Sequence, residues 1–329
     1  MLIKIPRGWE LPESAATPET VWHQRRLLLK GLAAGPILAV LPLAACDDSD
    51  SKAKAAQTSA ADPTADLYPV KRNERYTVDR PTTDEKSVTT YNNFYEYGID
   101  KDIYAAAQQL KIRPWTVEIS GLVEKPQTVD IDTLIRQMPL EERVYRHRCV
   151  EAWSMTVPWS GFPLAALVKF AQPTSAAKYI RFETFNDPSM APGQRTPWFA
   201  WPYVEGLTVA EAMNELSFVS TGAFGKPIQK SNGAPLRLTT PWKYGFKSVK
   251  SIVKIAFTAE RPKTFWEISG PSEYGFWANV NPGVPHPRWS QASERVLGTN
   301  ERIPTKIFNG YEPYVADLYK GLEGEKLYM

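Results

Sequence analysis

The sequence predicts an α+β fold that combines mixed or antiparallel β-sheets with short helices. Candidate strands are short and interspersed with pieces of helix, and the sequence shows no internal repeat, no strand–helix–strand alternation and no glycine-rich nucleotide loop. The 28 prolines and 11 tryptophans among 329 residues favour a loop-rich β protein with aromatic-walled cavities over a helical bundle. We expect one catalytic domain over residues 67–329.

The elements follow from residue periodicity and from turn residues. Strands are predicted over 113–123, 143–150, 178–184, 216–220, 234–239 and 249–258. Short helices are predicted over 102–110, 133–138, 163–171 and 208–214. Thr208 and Glu211 have the spacing of a capping box, which predicts that the last of these helices begins there. Residues 67–93 are polar and contain prolines, so we expect an extended arm lying on the domain.

Composition and charge exclude several classes of protein. Hydrophobic residues make up 43% and charged residues 23% of the chain, which excludes collagen-like and wholly disordered proteins. Two cysteines cannot build a disulfide framework, and three histidines leave little material for an all-histidine metal site. A net charge of +3 is too small at this length to indicate nucleic-acid binding.

Residues 1–45 have the pattern of a secretory signal peptide. Arg25 and Arg26 precede three leucines and a lysine, and the apolar run 32–45 follows with one glycine and two prolines. This run is shorter than the roughly 20 apolar residues that a spanning helix needs. The arginine pair indicates the twin-arginine export machinery, and an ordinary secretory signal is the alternative. We therefore expect a periplasmic protein.

The end of the signal peptide leaves two possibilities open. Residues 43–46 (LAAC) resemble a lipoprotein box, in which Cys46 would carry a lipid anchor, whereas a plain small-residue cleavage site would leave Cys46 incidental. Residues 46–66 are small and polar, and we expect a disordered tether.

Cys149 is the candidate for chemistry in the folded part. Arg146 and Arg148 precede it, and positive charge lowers the pKa of a thiol, so we expect a thiolate that attacks an electrophile or binds a soft metal. A buried inert thiol is the alternative. A cysteine-nucleophile hydrolase would need His147 or His286 as its base, and two residues along a strand separate His147 from Cys149 by about 6.6 Å.

Four segments carry a resemblance to a known family. They are RCVEAWSMTVPWSGFPL (148–164), NNFYEYG (92–98), NGAPLRL (232–238) and PWKYGFKSVKSI (241–252). They closely resemble the MsrP (YedY) family, the periplasmic molybdenum subunits of protein-methionine-sulfoxide reductase systems. The similarity extends from the opening MLIKIP to FNGYEPYVADLYKGL near the end. It implies a sulfite-oxidase-type molybdopterin-binding fold.

The resemblance also implies the cofactor and its contacts. Cys149 matches the cysteine whose thiolate ligates molybdenum beside the dithiolene sulfurs of molybdopterin, with one molybdenum per chain. Residues that match the family's pterin contacts are Asn92, Tyr95, Glu96, Thr184, Asn232, Arg237, Ser248, Val249 and Lys250. Glu151 is a candidate proton relay in the same cavity, and the alternative is a surface carboxylate paired with Arg146 or Arg148. Four aromatic residues are candidates for the cavity mouth or for the core: Trp153, Trp159, Trp242 and Tyr244.

The implied activity is the reduction of methionine sulfoxide in oxidised envelope proteins. The sequence contains no haem-attachment motif, no cysteine cluster and no flavin-type loop, so an external donor must supply electrons. The resemblance implies a membrane haem subunit, MsrQ, linked to quinones or a flavin partner. The alternatives are a cysteine-nucleophile hydrolase and a non-catalytic exported binding lipoprotein whose aromatic cavity holds a ligand.

Overall fold

Two mixed β-sheets form the framework of residues 62–329, the part of the chain that this computed structural model describes. The five-stranded sheet contains β1 (Thr116–Gly121), β2 (Gln127–Asp130), β5 (Tyr179–Thr184), β6 (Val204–Thr208) and β10 (Ile252–Thr258) in the order β2-β1-β10-β5-β6. Only the β1–β10 pair in it is parallel.

The seven-stranded sheet is built around β4 (Trp153–Pro163). Its path runs β12 (Arg302–Pro304), β11 (Ser293–Val296), β4, β7 (Phe218–Ala223) and β8 (Lys226–Pro227), while β3 (Glu141–Arg148) pairs with β4 and β9 (Arg237–Thr239) with β7. β11 runs parallel to β4, and β3 runs antiparallel to it with Arg148 opposite Ser154. The β3–β4 hairpin therefore places a four-residue turn, 149–152, at one end of this sheet.

The α-helices of the described residues are short. They are α1 (Glu85–Thr90), α2 (Tyr104–Ala107), α3 (Ile131–Gln137), α4 (Leu164–Ala171), α5 (Val209–Met213), α6 (Phe265–Ser269) and α7 (Glu312–Val315). Thr208 and Glu211 form the predicted capping box at the start of α5, each side chain accepting a backbone N–H of the other residue. Short helices and two mixed sheets confirm the predicted α+β class.

Two large hydrophobic clusters fill most of the interior of the described residues, beside a small one of Tyr244, Ala278 and Val280. One contains side chains of the five-stranded sheet such as Val117 and Phe182, and it includes the buried face of α4. The other contains Tyr145, Trp159 and Phe218 of the seven-stranded sheet. Trp159 and Trp242 are fully buried, so of their two predicted alternatives, cavity mouth or core, the structure assigns them to the core.

The start of the domain lies earlier than the sequence predicts. Asp62 and Asp66, which the prediction assigned to a disordered tether, form ion pairs with Arg113 at 3.4 Å and with Arg136 at 2.7 Å. Residues 62–66 therefore belong to the folded domain. The predicted signal peptide 1–45, Cys46 and tether residues 46–61 lie outside the described residues. Within 62–329, no helix is long and apolar enough to cross a membrane.

Candidate active site

A cavity that is open to solvent lies beside the turn that joins β3 to β4. Its wall includes nine residues that the sequence predicted for the site: Asn92, Tyr95, Glu96, Cys149, Glu151, Arg237, Ser248, Val249 and Lys250. The other two, Thr184 and Asn232, do not line it. The hydroxyl of Thr184 donates to the carbonyl of Phe185 at 3.3 Å and opposes the rise in the pKa of Glu96, and Asn232 Nδ2 donates to Asn92 Oδ1 at 3.2 Å. All predicted site residues thus meet within one region.

Cys149 begins the turn between β3 and β4. Its N–H donates to the carbonyl of Trp153 at 2.9 Å, and the N–H of Ala152 donates to its carbonyl at 3.1 Å. Ala152 adopts φ +61°, a left-handed conformation that lets the chain reverse in four residues. The turn places Sγ in the cavity wall, 3.5 Å from both Asn93 Nδ2 and the Glu151 backbone nitrogen.

The expected arginine effect on this thiol is present for Arg148, but burial outweighs it. Burial raises the pKa of Cys149 to about 12, and Arg148 opposes this only weakly. The Arg148 side chain is fully buried and donates to the Cys149 carbonyl and to Glu294, while Arg146 pairs with Asp79. The two guanidinium groups therefore contact a backbone carbonyl and carboxylates, and not the Cys149 sulfur. A bound metal cation would favour the thiolate of Cys149 over the thiol, because a thiol that coordinates a metal is deprotonated.

Glu151 lies in the cavity beside the sulfur. Its Oε2 is 3.7 Å from Cys149 Sγ and accepts hydrogen bonds from Trp153 Nε1 at 3.1 Å and Asn93 Nδ2 at 3.2 Å. Lys101 Nζ forms an ion pair with it at 2.7 Å. Burial alone would raise the pKa of Glu151, but the bonds from Lys101, Trp153 and Asn93 hold it below its usual value. Its ion-pair partner is thus Lys101, where the alternative prediction named Arg146 or Arg148.

A buried arginine, Arg237, and a partly buried lysine, Lys250, line another part of the wall. Arg237 donates to the carbonyls of Asn232 and Ser248, and Lys250 Nζ donates to the carbonyls of Asn93 and Ser231. Neither forms an ion pair with a carboxylate of the described residues. Burial lowers the pKa of Arg237 to about 10 and that of Lys250 well below its usual value. These cations can bind an anion, which would compensate their buried charge.

Glu96 is a buried carboxyl in the same wall. Burial raises its pKa to about 7, and this rise is opposed by a backbone N–H, by Lys250 and by the Thr184 hydroxyl. Asn92 Oδ1 accepts from Asn232, and Asn92 Nδ2 donates to the carbonyl of Val88 at 3.1 Å. The wall therefore offers both donors and acceptors, as a polar heterocycle requires.

A buried ion pair fixes the loop that contains Ser248, Val249 and Lys250. Lys247, the last residue of the 3₁₀ turn Gly245–Lys247, bonds to Glu205 on β6 at 2.5 Å, and both side chains are fully buried. The hydroxyl of Tyr203 adds a hydrogen bond to the carbonyl of Phe246 at 2.8 Å. These contacts attach the cavity loop to the five-stranded sheet.

Aromatic side chains surround the cavity. Trp266 packs edge-on against Tyr95 with 5.0 Å between ring centroids and lies 4.8 Å from the ring of Tyr274. Trp153, one of the four predicted candidates, also lines the cavity, whereas Tyr244 is buried outside it. The cavity thus combines an aromatic wall with a polar wall.

Two polar residues of the site, Asn93 and Lys101, were not predicted from the sequence. Asn93 contacts both Cys149 and Glu151, and Lys101 pairs with Glu151. His147, which the sequence suggested only as the base of a hydrolase, faces the cavity beside Gly245. Asn93 lies in a segment that the resemblance had already singled out and could have been found there. Lys101 carries no signal in the sequence, because its partner is 50 residues away.

The histidines do not form a base for Cys149. The hydrogen-bond partners of Sγ among the described residues are Asn93 and Glu151. Burial and the charges of Arg237 and Lys250 lower the pKa of His147 to about 3. His286 stacks on Trp289 with 3.8 Å between ring centroids. This geometry does not favour the cysteine-nucleophile hydrolase.

In 62–329, no group of three or more His, Cys, Asp or Glu residues could hold a metal by itself.

The residues present fit an anionic cofactor that brings its own metal ligands. One cysteine sulfur is in the wall, and the only hydrogen-bond acceptors of Arg237 and Lys250 among the described residues are carbonyls. Asn93 Oδ1 is buried without a hydrogen-bond partner among the described residues. A single protein thiolate suffices only where the cofactor supplies the remaining ligands.

Comparison with known proteins defines the class and then the family. The family model described as the oxidoreductase molybdopterin binding domain matches residues 104–266, a range that contains Cys149, Arg237 and Lys250. The chain thus contains a molybdopterin-binding oxidoreductase domain, which confirms the predicted fold class. It is 49% identical over 337 aligned residues, covering 100% of both chains, to the protein-methionine-sulfoxide reductase catalytic subunit MsrP of Pseudomonas syringae pv. tomato (strain ATCC BAA-871 / DC3000). The chain belongs to the MsrP family.

A solved structure is also similar. The sulfane dehydrogenase SoxCD from Paracoccus pantotrophus matches 67% of this chain and 58% of its own, with a TM-score of 0.42 and 16% sequence identity.

Proposed function

We propose that this protein reduces methionine sulfoxide residues of oxidised envelope proteins to methionine, using one molybdopterin-bound molybdenum per chain. The observation that carries the proposal is the position of Cys149 Sγ in the wall of a cavity that also contains Arg237 and Lys250. Full-length identity of 49% to a methionine sulfoxide reductase subunit supports the substrate.

The proposed cofactor contacts follow from the wall of the cavity. Cys149 would bind the metal, and Arg237, Lys250 and the backbone of Ser248 and Val249 would hold the anionic tail. The pterin head would contact Asn92, Tyr95 and Glu96, with Thr184 and Asn232 supporting them from behind. When bound, the cofactor supplies the two-electron chemistry that removes oxygen from a sulfoxide.

The protein's own groups would bind the substrate and move protons. The apolar stem of the methionine sulfoxide packs against Trp266 and Tyr274, which exclude water from the reacting sulfur. Release of the oxygen as water needs two protons. Glu151 holds a carboxylate beside the sulfur, and Lys101, with 24% of its side chain exposed, connects it to solvent.

Export and electron supply complete the proposal. The arginine pair, the short apolar run and the small residues before Cys46 support export to the periplasm by the twin-arginine machinery, with a lipid anchor at Cys46 as the alternative to a free N-terminus. We also propose a membrane haem subunit, MsrQ, as electron donor, because the sequence has no haem-attachment motif, cysteine cluster or flavin-type loop of its own.

Turnover of a defined substrate tests the proposed activity. A protein whose methionines have been oxidised is incubated with the molybdenum-loaded enzyme and a reduced dye, and the loss of oxygen from each methionine is followed by mass spectrometry. We expect one methionine restored for every two electrons taken from the dye. Oxidation of the dye without loss of sulfoxide, or no dye oxidation by fully loaded enzyme, would refute the activity.

A further inference from the structure

The turn that carries Cys149 is held from behind by residues 289–295, which we call the clamp segment. Trp289 Nε1 and Gln291 Nε2 both donate to the carbonyl of Val150, at 2.7 and 2.8 Å. The N–H of Arg295 donates to the carbonyl of Ala152 at 2.9 Å. Two of the turn's four carbonyls therefore bond to the clamp segment, and Val150 accepts two donors, which is the capacity of a carbonyl oxygen.

Arg148 joins the clamp segment to the cysteine itself. Its guanidinium donates to the Cys149 carbonyl, to Gln291 Oε1 at 2.8 Å and to Glu294 Oε2 at 3.0 Å. The side chain of Arg148 is fully buried, and only 4% of that of Glu294 is exposed. The Gln291 amide is therefore held at both of its polar atoms: Nε2 donates to the Val150 carbonyl, and Oε1 accepts from Arg148. Such bonds are costly to break in the interior, so they fix Gln291 relative to the turn.

Trp289 is itself fixed in orientation. Its ring stacks on His286 with an interplanar angle of 9°, and His286 Nε2 lies 3.4 Å from Glu273 Oε2. Trp289 and Gln291 do not line the cavity, so neither can touch a substrate or a cofactor bound there. Any effect they have on chemistry must pass through the Val150–Glu151 peptide group or, for Gln291, through Arg148 to the Cys149 carbonyl.

We propose that Trp289 and Gln291 are positioning residues that set the direction in which the Cys149 sulfur points into the cavity. The turn needs such support because Ala152 adopts a left-handed conformation that an alanine rarely takes unless surrounding contacts impose it. This inference rests on the proposed function, since it concerns the sulfur that would bind molybdenum. Without the hydrogen bonds from Trp289 or Gln291 to the turn, the sulfur would bind the metal in a different orientation, while the cofactor would stay bound.

Trp289→Phe tests the proposal because it removes the indole N–H but keeps a ring over His286. Gln291→Met removes the second donor and leaves the stack intact. Trp201→Phe is the matched control, since Trp201 is also half-buried and its Nε1 also donates to a backbone carbonyl, that of Thr196 at 3.3 Å, away from the turn. Three quantities are measured: the molybdenum content per chain, the visible thiolate-to-molybdenum charge-transfer band, and the turnover of a small sulfoxide.

We expect both variants to retain wild-type molybdenum content, to shift the absorption band and to lower kcat roughly 10- to 100-fold, with a smaller change in KM. The control should match the wild type in all three. An unshifted band and wild-type kcat in both fully loaded variants would overturn the positioning role. A wild-type protein that contains no molybdenum would instead refute the proposed function, so the two failures are distinguishable.

Discussion

At the scale of single residues, Cys149 carries the proposed chemistry. Its sulfur lies in the wall of the cavity, and the cations that would hold the cofactor, Arg237 and Lys250, are contributed by other parts of the chain. We expect Cys149→Ser to abolish turnover while the cofactor stays bound through those cations. Molybdenum content and sulfoxide reduction, measured on the same sample, check this. Retained turnover would show that the thiolate is dispensable.

Glu151 gives a second prediction at this scale. Glu151→Gln keeps acceptor capacity toward Asn93 and Trp153 but cannot carry a proton, so we expect kcat to fall about 100-fold. Molybdenum content should be unchanged, because Glu151 is not among the proposed cofactor contacts. Glu215→Gln serves as a control, since Glu215 pairs with Arg75 at 2.7 Å and does not line the cavity. Equal kcat values in the two variants would exclude proton transfer by Glu151.

The raised pKa of Glu96 leads us to expect that the stability of the protein prepared without cofactor depends on pH. This pKa is about 7 in the folded protein, against an ordinary value of 4.5. Between these pH values the unfolded chain has lost a proton that the folded protein keeps, so stability falls as pH rises, by roughly 1.4 kcal/mol per pH unit. Denaturant unfolding of wild type and Glu96→Gln from pH 4 to pH 8 measures the difference. Parallel curves would show that Glu96 does not titrate in this range.

Residue-scale features differ in how far the sequence could predict them. Cys149 was predictable because a cysteine is rare in this chain and its surroundings match a known family. Its high pKa was not, because it comes from burial of the sulfur in the folded chain, and because Arg146 and Arg148 pair with residues as remote as Asp79 and Glu294. The same holds for Lys101, whose role is set only by the folded chain.

At the scale of elements, β4 shows where sequence patterns fail. Nearly all of its residues are buried, so its sequence lacks the alternation that indicates a strand. Pro158, Gly161 and Pro163 are typical of turns, and the sequence predicted no strand there. Gly161 is required because a Cβ at this position would lie 2.0 Å from the carbonyl oxygen of Val219. By contrast, β5 shows regular alternation, and its prediction over 178–184 is confirmed.

The 3₁₀ turn Gly245–Lys247 gives a prediction at the element scale. A Cβ at Gly245 would lie 2.5 Å from His147 Nε2, so Gly245→Ala must displace either the ring or the loop that continues to Lys250. We expect a loss of about 1–3 kcal/mol in the free energy of unfolding and a lower molybdenum content. Gly324→Ala is the control, because no atom lies within 4 Å of a Cβ there. Identical molybdenum content in both variants would show that the loop tolerates the displacement.

At the scale of the whole molecule, the site depends on both sheets. The seven-stranded sheet contributes the Cys149 turn and Arg237, while β6 of the five-stranded sheet fixes the loop of Ser248, Val249 and Lys250 through Glu205. The sequence could predict the fold class and most of these residues, but not that contact, because it joins segments 42 residues apart.

The molybdenum content of the purified native protein, measured together with its absorption spectrum, shows whether Cys149 binds a molybdenum cofactor. We expect close to one molybdenum per chain and a visible band that disappears in Cys149→Ser. A correctly matured protein that contains no molybdenum, or that keeps the same band without the cysteine, would contradict this expectation.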